Sequence, residues 1–88
     1  MRTGLLEIAY NDEDQFLLIR KENIDSFRYY KYNNKDKDGN WIKSWGFFFN
    51  MKDGTSIPVS KKVFLEEVKE NINTVDYEKI IKRITENE

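Results

Sequence analysis

Asn34, Asp36 and Asp38 alternate ahead of Gly39, and oxygen ligands at odd positions followed by glycine are the opening of a calcium loop. Such a loop needs a bidentate glutamate at its twelfth position. Counted from Asn34 that position is Trp45, and counted from Asp36 it is Phe47. Asn, Asp and Gly also favour turns for their own backbone reasons, so the expectation is a hairpin loop with no metal. Asp12, Glu13 and Asp14 form a second acidic group. Alternate strand residues point to opposite sides, so only Asp12 and Asp14 could converge, and a solvated turn is expected. Glu66, Glu67 and Glu70 form a third, of which Glu66 and Glu70 share a helix face and, with Lys62 and Lys69 nearby, read as a solvated surface.

The side chains that most often perform catalysis are missing. The chain has no cysteine and no histidine, so thiolate nucleophiles, disulfides and the commonest general base and metal ligand are excluded. It has no Gly-rich phosphate loop. The expectation is a non-enzymatic protein with no cofactor and no small-molecule substrate.

The informative chemistry is in the middle. Residues 20–62 carry a net charge of +5, while residues 1–19 and 63–88 each carry −3. The basic part is also the aromatic part. If 26–32 and 41–49 pair around a 33–40 loop, Tyr32 opposes Trp41, Tyr30 opposes Lys43 and Arg28 opposes Trp45. Those six residues would then share one face near the loop. Phe48 would fall on the opposite face with Phe27, Tyr29 and Ile42, as a candidate self-association patch. Trp, Tyr and Arg dominate protein–protein hot spots. The same types line single-stranded nucleic acid grooves, where cations meet phosphates and rings stack on bases. Cross-strand ring and cation pairs also stabilise a sheet that binds nothing. The expected partner is a protein, a second copy included, with nucleic acid as the alternative.

The elements that must position these residues can be read from the pattern. The 88 residues fit one small domain over 1–88. "LLEIAY" (5–10) and "QFLLIR" (15–20) read as a hairpin about "NDED" (11–14). "SFRYYKY" (26–32), "WIKSWGFFFNM" (41–51) and "TSIPV" (55–59) read as three further strands. A three-residue loop at "KDG" (52–54), with Gly54 in the left-handed region, pairs Phe49 with Ile57 and Phe47 with Val59. It sets Phe47, Phe49, Met51, Ile57 and Val59 on one face. Pro58 lacks a ladder donor and marks an edge strand. Ser60 should cap a first helix carrying Val63, Phe64, Val68 and Ile72. Asn73 or Thr74 should cap a second with Tyr77, Ile80, Ile81 and Ile84 in a stripe. Strands in one block and helices in the next predict an α+β fold, a five-stranded mainly antiparallel sheet followed by two C-terminal helices. With only two helices, part of the sheet should stay uncovered.

No apolar run approaches the roughly 20 residues that span a bilayer. The first fourteen residues hold one arginine and an apolar run broken by Glu7, a strand and not a leader. A cytoplasmic location with no membrane partner is expected.

"ENIDSFRYY" followed by "FFFNMKDGTSIPVSKKVFLEEVKENI" resembles the strand–strand–helix pattern of LytTR-type DNA-binding domains and of small flagellar regulators of the FlbD type. The likeness covers roughly half the chain and implies DNA binding as an alternative. It departs after residue 73, where the LytTR pattern continues into strands and this chain reads as helix. No contact residue of either family can be placed on it.

Overall fold

The computed structural model describes residues 4–10 and 15–85. Five strands precede two helices: β1 (Leu5–Tyr10), β2 (Gln15–Arg20), β3 (Ile24–Lys35), β4 (Trp41–Met51), β5 (Ser56–Pro58), α1 (Lys61–Asn71) and α2 (Thr74–Thr85). A single 3-10 turn, Lys21–Asn23, joins β2 to β3. The fold is α+β, as the block order of strands and helices predicts. The strands, however, form two antiparallel sheets, a β1–β2 ribbon and a β3–β4–β5 meander, not one sheet of five. The "NDED" turn lies outside the described residues.

The meander is built on two loops of the same sequence. Lys37-Asp38-Gly39 joins β3 to β4, and Lys52-Asp53-Gly54 joins β4 to β5. In each, the glycine N–H donates back three residues, Gly39 to Asp36 and Gly54 to Met51. Both glycines sit in the left-handed region, at φ +81° and +93°, where residues with a Cβ are strained. The Asp36 carboxylate accepts from the backbone N–H of Asp38 and of Asn40, and Asp53 accepts from the N–H and hydroxyl of Thr55. The opening Asn34–Gly39 stretch is therefore a hairpin turn.

The β4–β5 register is the expected one. Phe49 pairs with Ile57, and the Val59 N–H donates to the Phe47 carbonyl. Bonded pairs alternate along an antiparallel ladder, so Pro58 turns its missing donor outward along an edge. Phe47 and Phe49 point inward and meet Phe64 of α1 and Ile84 of α2, with Ile8 and Ile19 of the ribbon completing the same core. Phe64 is its centre, with ring centroids 5.0 Å from Phe47, 5.7 Å from Tyr29 and 6.1 Å from Phe27.

Both helix starts carry the expected caps. The Ser60 hydroxyl accepts from the Val63 N–H. The Asn73 carboxamide accepts from the Asp76 N–H and donates to the Asp76 carboxylate, closing the first turn of α2 from both sides. Glu66 and Glu70 are exposed as expected, but between them on the helix lies buried Glu67. It is 2% exposed and lies 3.1 Å from the Lys21 ammonium, which also reaches Glu70 at 3.5 Å. The partner is 46 positions upstream, where no i,i+4 reading of the helix could find it.

Candidate functional site on the uncovered sheet face

The register of β3 against β4 decides which side chains can act together. Lys35 pairs with Trp41, Lys31 with Trp45, Tyr30 with Gly46 and Arg28 with Phe48. The expected pairing was Arg28 with Trp45, three positions away. An odd displacement exchanges the faces of one strand relative to the other. Its cause is the length of β3, which runs through polar Asn33, Asn34 and Lys35 to a three-residue loop instead of ending before an eight-residue one.

The six expected site residues are thereby divided. Arg28, Tyr30 and Tyr32 lie on the outer face, away from the helices. Trp41, Lys43 and Trp45 lie on the other face, in line with Phe47 and Phe49. Phe48, expected on the opposite side from Tyr30, joins Tyr30 on the outer face together with Ile42. Phe27 and Tyr29 turn to the core instead of accompanying Phe48. The partial exposure of the sheet is as expected: both helices pack on one face, and Tyr30, Tyr32 and Ile42 remain 42%, 39% and 43% exposed on the other.

On the outer face the rings are ordered by one another. Tyr30 and Phe48 stack with centroids 5.6 Å apart and planes within 3°. Tyr32 tilts against Tyr30 at 5.8 Å. The Arg28 guanidinium sits 4.6 Å from the Phe48 centroid and 5.5 Å from that of Tyr30, a cation held on ring faces. The stack depends on Gly46, opposite Tyr30. A Cβ there would come within 3.1 Å of the Phe48 ring and 3.5 Å of the Tyr30 ring. A shallow groove of about 440 Å³ runs from Tyr30, Tyr32 and Phe48 past Pro58 to Ser60 and Lys61, at the start of α1.

The other face differs toward the hairpin tip. Lys31 approaches Trp45 at 5.7 Å and Lys35 approaches Trp41 at 4.9 Å. Trp41 is exposed, while Trp45 packs on Tyr29 at 5.8 Å, its indole N–H buried with no partner among the described residues. The Arg83 guanidinium donates to the Tyr29 hydroxyl at 2.6 Å, tying α2 to β3. Among the described residues no three His, Cys, Asp or Glu side chains gather to hold a metal, and no helix is long and apolar enough to cross a membrane.

Two features escaped the sequence reading. Gly46 gave no turn signal, because its role is to make room for rings two strands share. The register had a signal in the repeated Lys-Asp-Gly, which was used for the second hairpin and not for the first. Comparisons of the chain with protein-family models, with curated proteins and with solved structures returned no match, so the likeness to LytTR-type domains and flagellar regulators gains no support.

Proposed function

We propose that the protein is a small non-catalytic binding module that docks a protein partner on the outer face of its β3–β4–β5 sheet. The supporting observation is the Arg28–Phe48–Tyr30–Tyr32 ladder, left uncovered by both helices and bordered by a groove. Aromatic residues with an arginine are the residue types that anchor protein interfaces. Rings stacked on one another and capped by a guanidinium are also pre-ordered, which lowers the entropy lost on docking. The face suits a flat apolar contact with a carboxylate or carbonyl acceptor over Arg28.

The division of the site favours protein over nucleic acid. A single-strand groove combines free ring faces with several cations on one surface. Here Lys31, Lys35 and Lys43 lie on the far side of the sheet from Tyr30 and Tyr32, and the Phe48 ring is already occupied by Arg28.

The test pairs partner identification with two variants. A partner captured by cross-linking and identified by mass spectrometry is titrated against wild type, Arg28→Ala/Tyr32→Ala and Trp41→Ala. The first variant is expected to weaken binding at least tenfold, about 1.4 kcal/mol, and the second to leave it unchanged. A folded Arg28→Ala/Tyr32→Ala protein that binds as tightly as wild type overturns the assignment. Affinity that falls steeply with added salt and follows a nucleic acid in the captured complex would favour the nucleic-acid reading.

A further inference from the structure

The β1–β2 ribbon carries apolar side chains on both sides, with Glu7 and Arg20 among those of the reverse face. Leu6, Ile8, Leu17 and Ile19 face the core, yet Leu5, Phe16 and Leu18 on the reverse face are 60%, 64% and 61% exposed.

The edges of the ribbon show where a further strand can add. The Lys21 N–H donates to the Gly4 carbonyl, and Leu5 pairs with Arg20. Bonded pairs alternate in an antiparallel ladder, so Gln15, Leu17 and Ile19 bond toward β1. The N–H and C=O groups of Phe16, Leu18 and Arg20 therefore point outward, toward no other described strand. Natural edges are blunted by proline, charge, shortness or bulges. Among the described strands the other open edges are blunted: β5 is three residues ending at Pro58, β3 carries Lys31 and Lys35 with a register shift at Ile24–Ser26, and β1 has Glu7 at its centre. β2 has none of these between Phe16 and Ile19. A groove of about 1060 Å³ runs along it, with Met51, Thr55 and Ile57 on its far side.

We infer that β2 pairs antiparallel with β2 of a second copy about a two-fold axis at Leu18. This inference does not rest on the aromatic face proposed above. The outward bonding groups restrict the pairing to even registers, and centring on Leu18 sets Phe16 against Arg20 of the second copy and Leu18 against Leu18. The core-side residues then match as well, Leu17 against Ile19. Between Phe16 and Arg20 a cation meets a ring twice and no like charges meet. The same operation on the edge of β1 would set Glu7 against Glu7. A two-fold interface is self-complementary by construction, so one favourable pair is counted twice. A net charge of −1 adds little repulsion between copies.

Sedimentation equilibrium of the full chain tests this with three variants. Wild type is expected to approach twice 10.6 kDa as concentration rises. Phe16→Glu sets a carboxylate against Arg20 and should keep the dimer within about threefold of wild-type affinity. Phe16→Lys sets two cations together at both ends and should weaken it at least tenfold. Phe16→Lys also brings the net charge to zero, so non-specific association would be stronger in that variant, the opposite result. Leu18→Pro removes an outward donor that no described strand uses and should be monomeric while keeping the wild-type circular dichroism spectrum. A wild-type protein monomeric at all concentrations, or Phe16→Lys associating as tightly as Phe16→Glu, overturns the inference. Neither outcome bears on Arg28 or Tyr32.

Discussion

The Lys21–Glu67 pair shows how a single side chain joins distant parts of the chain. A carboxylate 2% exposed is tolerated when a cation lies 3.1 Å away, because an unpaired buried charge is costly. Lys21 leads the turn between the ribbon and β3, and Glu67 sits in the middle of α1, so the pair pins the ribbon's exit to the helix. Lys21→Met should destabilise the fold by about 1–3 kcal/mol, read from urea denaturation at neutral pH. The hydrogen bond to Glu67, aided by the nearby charges of Glu67 and Glu70, raises the Lys21 ammonium above its usual 10.5. A folded-state value above the unfolded one means that the contribution is complete below pH 10.5 and is lost as pH rises through the raised value. The stability gap between wild type and Lys21→Met should therefore be constant from about pH 7 to pH 10 and narrow above 10.5. A gap that stays constant to pH 12 would assign the stabilisation to the packing of the lysine stem.

Elements were legible where local chemistry decides them. Ser60 and Asn73 capped their helices as the residue types dictate. The Gly54 loop was read correctly because its register placed Phe47, Phe49 and Ile57 on one face, a match that a slip would destroy. The β3–β4 register was misread because Asn33, Asn34 and Lys35 have weak strand preference and no apolar alternation to mark the pairing. The length of that strand is fixed by Gly39 and by Asp36 gripping the turn. The split into two sheets was equally hidden. It depends on how the ribbon lies against the helices, which no local pattern encodes. The Gly39 loop gives a clean measurement. A Cβ at Gly39 meets no neighbour within 4 Å, so Gly39→Ala should cost about 1–2 kcal/mol from the left-handed backbone alone. Denaturant midpoints would show it, and a loss below about 0.3 kcal/mol would mean that the loop relaxes to another turn.

At the scale of the whole molecule the fold is a thin slab, 44 × 35 × 21 Å, with one core between a helix layer and the sheets. A domain of this size is stable by about 5–10 kcal/mol, and Phe64 touches four of the core rings that supply it. One layer of helices over two sheets leaves outward surfaces on both the ribbon and the meander. They differ in character: the meander presents ordered rings around a guanidinium, and the ribbon presents Leu5, Phe16 and Leu18 beside an open edge. A protein with both could hold itself and a partner at the same time, and the variants above separate the two.

The twin Lys-Asp-Gly loops also bear on how the chain reaches this state. They make β3, β4 and β5 neighbours in sequence as well as in space, so their pairing closes only short loops and carries a small entropic cost. Zipping of the meander should thus precede arrival of α2, which contributes Ile84 from the far end of the chain. Stopped-flow traces should then show Gly39→Ala mainly slowing refolding and Ile84→Val mainly accelerating unfolding. In that order of events Phe47 and Phe49 stand bare on a finished sheet until the helices close over them, and the interval is when the nascent chain is most prone to stick to its neighbours.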